Sequence, residues 1–488
     1  MRFSTKNNII ILTITIFFTA IGNSYAIGPN FKRPAAPNVA RYTNDDRMPN
    51  LPEPISQKFI YEQNIPAEWW ALFRCKKLDQ VIRLAIDGNP TLAAAKATLQ
   101  KAKEEYTAKT GVAYFPNISA DLSMSRQKTS TAAAGISEGK GTIFNFYGAS
   151  VKISYLFDVW GGARRELEAL QSQVNFQDLQ LQAAYLTITS NIVASVGKEV
   201  AIRGQINAMK AVIDIQEKQL ALIEKQLDLG GADRSQVLAQ KTALEQTKAQ
   251  LPALDRELAY TRHQLAVLVG KFPNEESTLP EFDLSELTLP QDLPVTLPSE
   301  LVRKRPDIRM SEELLHAACA EIGVATANMY PQFILNSGFG PESNTIKELF
   351  NGNNIIWNIG ANIVQPIFRG GELKAKKRAA LAAFDQAAAE YRQTVLYAFQ
   401  NVADVLRALE TDAATFEAQI AAFNTAEEYF KLAKEQFNNG AVSIFILLDA
   451  ERQFNLTRIG VVQAQAARFA DTAALFQALG GGWWNNAN

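Results

Sequence analysis

Apolar residues recur at spacings of three and four between Leu167 and Leu227: Leu167, Leu170, Val174, Leu181, Tyr185, Ile188, Ile192, Val196, Ile202, Ile206, Met209 and Ile213. This is the period of one helix face. It predicts a single amphipathic helix of about 65 residues, about 100 Å long at 1.5 Å per residue. Few globular domains use so long a helix, because it outreaches any single core. Gly230-Gly231 and Gly440 suit tight turns that end such helices, after which a second helix returns. Ala379, Ala380, Ala382, Ala383 and Ala387 to Ala389 let neighbouring helices approach closely.

Elsewhere the period changes to two. In 118–125, Ile118, Ala120, Leu122 and Met124 lie on one face and Ser119, Asp121, Ser123 and Ser125 on the other. In 147–155, Tyr147, Ala149, Val151, Ile153 and Tyr155 oppose Gly148, Ser150, Lys152 and Ser154. Phe333, Leu335 and Phe339 oppose Asn336 and Gly338, and Trp357, Ile359, Ala361 and Ile363 oppose Asn358, Gly360 and Asn362. These segments predict four strands with one apolar and one polar face.

Proline placement separates the two kinds of segment. Prolines cluster between Pro29 and Pro90 and again from Pro273 to Pro306; none falls between Pro116 and Pro252 or after Pro366. Proline costs a helix interior about 3 kcal/mol, so the proline-free stretches are where long helices fit. The chain is also duplicated. Gln226 matches Gln436, Gly230 matches Gly440 and Gly270 matches Gly480, each at an offset of 210; Gly161-Gly162 matches Gly370-Gly371, Phe115-Pro116 matches Tyr330-Pro331, and Pro90 matches Pro306. The expected organisation is a signal peptide at 1–26, an extended segment at 27–75, a first repeat at 76–272, a Pro-rich connector at 273–298 and a second repeat at 299–488. Within the first repeat a strand pair falls at about 117–157, a long helix at about 163–228 and a return helix at about 233–269. Their counterparts in the second repeat are about 332–367, 371–438 and 443–479.

Composition narrows the function classes. Over 488 residues, 49 Lys and Arg balance 50 Asp and Glu, which removes the electrostatic footprint of a nucleic-acid binder. A mean hydropathy of -0.10, with no long apolar run in the body of the chain, argues against a polytopic helical membrane protein. A transmembrane β-barrel is untouched by that argument, since its strands are only half apolar. At the N-terminus, Arg2 and Lys6 precede the apolar stretch Ile9 to Ile21, and Ser24-Tyr25-Ala26 supplies a cleavage site. The chain is expected to be exported, and cleavage after Ala26 would leave Ile27-Gly28-Pro29 at the start.

The faces of the predicted strands suit a barrel better than a soluble sheet. The polar face is Ser, Gly, Asn, Asp and Lys, as in a wet lumen, and aromatics sit toward strand ends, as in membrane girdles. Segments 127–142 and 340–355 read as polar outer loops. Four strands cannot close a barrel, and open edges do not survive in lipid, so other copies of the chain must satisfy them. Two, three or four copies would give 8, 12 or 16 strands.

Several motifs resemble those of the outer-membrane efflux factors, the TolC superfamily, especially its NodT-type branch. They are Leu297-Pro298-Ser299-Glu300-Leu301-Val302-Arg303-Lys304-Arg305-Pro306-Asp307-Ile308-Arg309, Ala320-Glu321-Ile322-Gly323-Val324-Ala325 before Tyr330-Pro331, and Thr261-Arg262-His263-Gln264-Leu265-Ala266-Val267-Leu268. Ile27-Gly28-Pro29-Asn30-Phe31-Lys32-Arg33-Pro34 is similar to the usual mature start. The resemblance implies a mainly α protomer with a membrane β-barrel: a homotrimer of twelve strands in the outer membrane, continued by a periplasmic α-barrel of twelve helices. It also implies a periplasmic adaptor (membrane fusion) protein and an inner-membrane pump, of resistance-nodulation-division type, as partners. Many NodT-type relatives carry a lipidated Cys just before Gly-Pro; here that position is Ile27, so no acyl anchor is expected.

The same resemblance points to the periplasmic tip. Relatives meet the adaptor through the turns that here contain Gly230, Gly231, Asp233, Gly440 and Ala441. Asp449 matches the aspartate lining the closed aperture of relatives, and Phe445 lies one helical turn away on the same face. Three clustered carboxylates would repel, and an apolar ring would resist wetting. Gln236, Val442 and Phe437 occupy positions where TolC proteins use an Asp, an Arg and a Tyr, so the salt-bridged latch is lost and closure is expected to rest on apolar packing.

Other chemistry is thin. His263 and His316 lie in helical sequence without a zinc-site arrangement, Cys75 and Cys319 are not equivalent in the repeat, and there is no G-x-S-x-G or P-loop. No metal, cofactor or enzymatic activity is expected. Glu and Lys on the helices read as solvated faces. Two functions fit: a passive outer-membrane exit duct of a tripartite efflux system, or a soluble periplasmic helical scaffold. The two-faced strands and duplicated hairpins favour the duct, and dependence on detergent separates the two.

Overall fold

The structure, a computed structural model, describes residues 26–39, 41–42, 57–61, 65–129, 141–283 and 286–482. The signal-peptide features at 1–25 and the centre of the first polar loop, 130–140, lie outside the described residues. In chain order the elements are β1 (Lys58–Tyr61), α1 (Lys76–Gly88), α2 (Pro90–Tyr114), β2 (Asn117–Lys128), β3 (Ile143–Phe157), α3 (Gly162–Asp228), α4 (Arg234–Lys248), α5 (Leu251–Leu268), β4 (Asp292–Val295), α6 (Pro298–Lys304), α7 (Pro306–Ala327), β5 (Gln332–Ser343), β6 (Ile355–Val364), α8 (Glu372–Asn438) and α9 (Ile444–Ala478). No helix is long and apolar enough to cross a membrane among the described residues.

Two compact units divide the chain. The first holds 98–177, 311–391 and the N-terminal residues up to Pro34. Its sheet runs β2-β3-β5-β6, antiparallel throughout. The register lines up the chemistry of the strands. Ala120 pairs with Val151, Val151 with Phe339 and Phe339 with Trp357, giving an apolar row across all four strands. One step along, Ser119, Lys152, Gly338 and Asn358 form a polar row, with Lys152 Nζ 3.5 Å from Asp121 Oδ1 on that face. Because the side-chain period is two, this register lines up Ile118, Leu122, Val151, Ile153, Leu335, Phe339, Trp357 and Ile359 on one side. That side is uncovered: Leu122 is 81% exposed and Trp357 73%. The outer edges of β2 and β6 have no partner strand among the described residues.

The N-terminal segment is strapped to the same unit. The Ile27 N–H donates to the Trp160 carbonyl at 2.9 Å, Arg165 Nη2 donates to Asn30 Oδ1 at 2.6 Å, and Phe31 stacks on His316 at 4.3 Å. Gly28 has φ of +106°, and a Cβ there would stand 2.6 Å from the Gly323 Cα, so only glycine fits.

The second unit holds 35–97, 178–310 and 392–488. Along α3 the predicted stripe is buried there at Leu181, Ile188, Ile192, Val196, Ile202, Ile206 and Met209. The return segment of the first repeat departs from expectation. Instead of one helix over 233–269 there are two, α4 and α5, separated by Ala249 and Gln250. Pro252 is the cause: without an N–H it cannot bond back to the Lys248 carbonyl, and its ring crowds that turn. The second repeat has no proline here, and α9 runs unbroken. An unanticipated feature is the parallel pair β1·β4, which joins the extended N-terminal segment to the Pro-rich connector from Lys58↔Asp292 to Tyr61↔Val295.

The Arg305-Pro306-Asp307 motif is a structural tie. Arg305 Nη1 donates to the carbonyls of Ala398 (3.2 Å) and Ala478 (2.7 Å), and its Nε donates to Asp307 Oδ1 at 2.9 Å. One guanidinium thus binds α8 and the carbonyl end of α9, where the helix dipole favours a cation. The Arg262 motif is similar: its Nη1 reaches Glu199 Oε1 at 2.8 Å, and Arg203 reaches the same oxygen at 2.9 Å. Arg305→Ala leaves these carbonyls without a donor and is expected to lower stability by about 2 to 4 kcal/mol. Thermal unfolding in detergent measures it; a shift within error contradicts the assignment.

Candidate functional site

The two turns that follow α3 and α8 have the same construction. Gly230 N–H donates to Leu227 O (2.9 Å) and Gly231 N–H to Gln226 O (2.7 Å). Gly440 N–H donates to Phe437 O (2.9 Å) and Ala441 N–H to Gln436 O (2.8 Å). Each is a Schellman motif, in which a left-handed residue satisfies two orphan helix carbonyls. Gly230 and Gly440 supply the φ of +76° and +70° that other residues adopt only with strain. Gly231, Asp233 and Ala441 are exposed with them.

The helices that leave the turns start differently. Asp233 caps α4, and its backbone N–H donates to Gln236 Oε1 at 3.1 Å, the return half of a capping box. Gln236 therefore serves the cap, and no ion pair or hydrogen bond joins it to Val442 or Phe437 among the described residues. At the second turn Ser443 takes the cap position and Ile446 stands where Gln236 does.

Both turns sit over one apolar cluster. Ile223 of α3, Phe430 and Ala433 of α8, and Ile444, Leu447, Ala450 and Phe454 of α9 are buried together, with Ala232, Val237 and Phe437 packed against them. The Phe454 ring stacks on Phe430 at 5.3 Å and lies 5.6 Å from Phe423. Phe437 thus belongs to the packed side of the tip, and Val442 is half-buried.

Phe445 and Asp449 lie on the other side of α9. Phe445 is 62% exposed, and the Asp449 carboxylate accepts a hydrogen bond from Arg452 Nη2 at 2.8 Å. The pair is exposed at both ends and contributes little to stability. It does place a cation beside each carboxylate, which a reading of Asp449 alone leaves out. A cleft of about 400 Å³ opens beside them, walled by Met209, Gln216, Gln250, Asp449, Arg452 and Asn455.

One group departs from the expectation that helix glutamates are solvated. Glu451 is 1% exposed, and neither carboxyl oxygen is in a well-formed hydrogen bond. Burial pushes its pKa up to about 7. Around it lie buried amides of α3 and α4, Gln219 and Gln240 among them. The hint in the sequence is its place one residue after Ala450, inside the apolar phase of α9. The remaining candidates are structural. Cys75 and Cys319 are both free thiols; His316 Nε2 lies 2.9 Å from Glu168 Oε1, and His263 Nε2 lies 3.8 Å from Glu276 Oε2. No group of three or more metal-binding side chains occurs among the described residues.

The profile of the outer membrane efflux protein family matches residues 81–271 and 297–481. Among characterised proteins, the chain is 28% identical over 420 residues to the pyoverdine export outer membrane protein OpmQ of Pseudomonas aeruginosa, covering 85% of this chain and 87% of that one. Among solved structures it is similar to the Campylobacter jejuni CmeC outer membrane channel, with a TM-score of 0.85 and 22% identity over 95% of this chain and 96% of that one. It is also similar to the open state of the Neisseria gonorrhoeae MtrE outer membrane channel, with a TM-score of 0.81 and 23% identity over 95% and 100% of the two chains.

The apolar cluster and the exposed face of α9 separate by mutation. Phe454→Ala is expected to cost about 3 to 5 kcal/mol of stability through the cavity it leaves. Phe445→Ala is expected to stay within about 0.5 kcal/mol. Denaturant unfolding in detergent checks this, and the reverse order contradicts it.

Proposed function

The chain belongs to the outer membrane efflux protein family, and from that premise we propose that it is the outer-membrane exit channel of a tripartite efflux system. The family comprises channels, not enzymes. In this reading the protein conducts passively and draws its energy from an inner-membrane pump of the resistance-nodulation-division type, reached through a periplasmic adaptor. The observation that carries it is the four-stranded sheet: one face apolar and uncovered, the other polar, and on each side an edge without a partner strand among the described residues. Hydrocarbon tolerates such a face but not such edges. Three copies, joining β6 of one to β2 of the next, give the twelve-stranded barrel that a homotrimer requires, with polar rows such as Ser119, Lys152, Gly338 and Asn358 toward the lumen. A cleaved signal peptide delivers the chain to the periplasmic side of that membrane.

The helical tip supplies the aperture and the docking surface. Gly230, Gly231, Gly440 and Ala441 are exposed and pinned by their Schellman bonds, and the exposed Asp233 by its capping box, which supports a fixed surface for the adaptor. Phe445 and Asp449 share the exposed face of α9, which supports their facing the axis as the gate. Gln236, engaged in its capping box, Phe437, on the packed side, and the half-buried Val442 support closure by apolar contact without the salt-bridged latch.

Single-channel recording in planar lipid tests the gate. Wild type is expected to show a small conductance, and Phe445→Ala a several-fold larger one. Asp449→Ala is expected to change conductance and cation block, while Gln236→Ala leaves both near wild type. If Gln236→Ala opens the pore as strongly as Phe445→Ala, the apolar gate is wrong.

A further inference from the structure

Glu451 is the buried acid that the channel reading leaves without a role. It lies in α9 two residues beyond Asp449, with both oxygens enclosed, neither in a well-formed hydrogen bond, and the Gln219 amide the nearest donor. Across from it α3 and α4 contribute amides and no charge: Gln240 Nε2 donates to Gln219 Oε1 at 3.2 Å and to the Gln216 main-chain carbonyl at 3.3 Å. Gln216, Gln219 and Gln240 are each less than 10% exposed, yet Gln216 Oε1, Gln219 Nε2 and Gln240 Oε1 have no partner. Lys434 of α8 is the charged group acting on Glu451, and Asp449 and Arg452 of its own helix pair with each other on the exposed side. The layer thus holds spare acceptors on two amides and a spare donor on the third, beside a carboxyl group that offers a donor only when protonated. An ionised carboxylate enclosed without a partner is strongly disfavoured, and water entering the layer is the usual remedy.

We propose that Glu451 is a proton-operated lock between α3, α4 and α9. As the neutral acid it donates its O–H to an amide oxygen and accepts from Gln219, and the tip stays packed. When its proton leaves to solvent, the carboxylate draws in water, the layer opens, and the segment carrying Phe445 and Asp449 is released. Burial raises the Glu451 pKa from the ordinary 4.5 to about 7, against the opposing pull of the nearby Gln219 amide and of Lys434. For an acid raised in the folded state, the stabilisation is complete below the unfolded pKa and is lost as pH rises toward the folded one. The tip is therefore tightest at acidic pH and loosens between about 4.5 and 7. The consequence for conduction rests on the channel reading above; the lock itself does not.

Two measurements on the full chain in detergent and lipid decide the matter. Hydrogen exchange of the segment 444–456, corrected for intrinsic rates, should show protection falling on the order of tenfold between pH 5.5 and 8 in wild type. Glu451→Gln and Glu451→Leu, neither of which ionises, should make that protection independent of pH. Wild-type protection that does not change, or variants that keep the wild-type dependence, overturns the lock. In planar lipid, wild-type conductance should rise over the same range and Glu451→Gln should remain at the low value, while Asp449→Asn keeps the rise. Absence of current at any pH with the exchange result intact removes the channel reading and leaves the lock.

Discussion

A strand edge is a row of N–H and C=O groups, and hydrocarbon offers no partner for them. Much of this chain is intelligible as an answer to that constraint. The duplicated hairpins give four strands whose register is exact enough to keep one face apolar from β2 to β6, yet the chain stops short of closure. The unfinished edges make the protomer incomplete, and the proposed trimer completes it with no new kind of contact. The apolar surface of Ile118, Leu122, Trp357 and Ile359 would be a liability in water, and in lipid it is the solvent-matched face.

The helical part answers a different need, which in the proposed channel is to hold an end that is shaped and can open. Schellman turns fix the loops at Gly230 and Gly440, and the capping box at Asp233 fixes the start of α4. Beneath them Phe430 and Phe454 give the tip a core of its own. Against that rigidity stand features in the same region that resist tight packing. Pro252 breaks the return helix near the cleft beside Asp449, and the amide layer around Glu451 is incompletely satisfied. Regions that move are drawn from the less stable end of a structure, and the proposed opening of the tip would draw on these features.

The long helices and two-faced strands are legible in the sequence because each repeats one period over many residues: Leu181, Ile188, Ile192 and Val196 leave little doubt about a helix face. Turn glycines are legible for the same local reason. What escapes is what depends on distant partners. β1 and β4 are four residues each, one containing Pro294, and their pairing across more than 230 positions leaves no periodic trace. Arg305 stands in the sequence only as part of a motif, and its tie to the Ala398 and Ala478 carbonyls becomes visible only in the fold. Glu451 reads as solvated because charge at one position says nothing about what covers it. The break at Gln250 is the exception, since Pro252 marks it in the sequence itself.

The central claim is that copies of this chain close one another's sheet edges. Cysteines placed on the outer edges, Asn117→Cys on β2 and Val364→Cys on β6, test it most directly. Oxidation of the detergent-purified protein, followed by denaturing electrophoresis, is expected to give covalently linked species ending at three copies, from protein that precipitates once detergent is withdrawn. A protein that stays soluble and monomeric without detergent, and forms no intermolecular disulfide, contradicts the account.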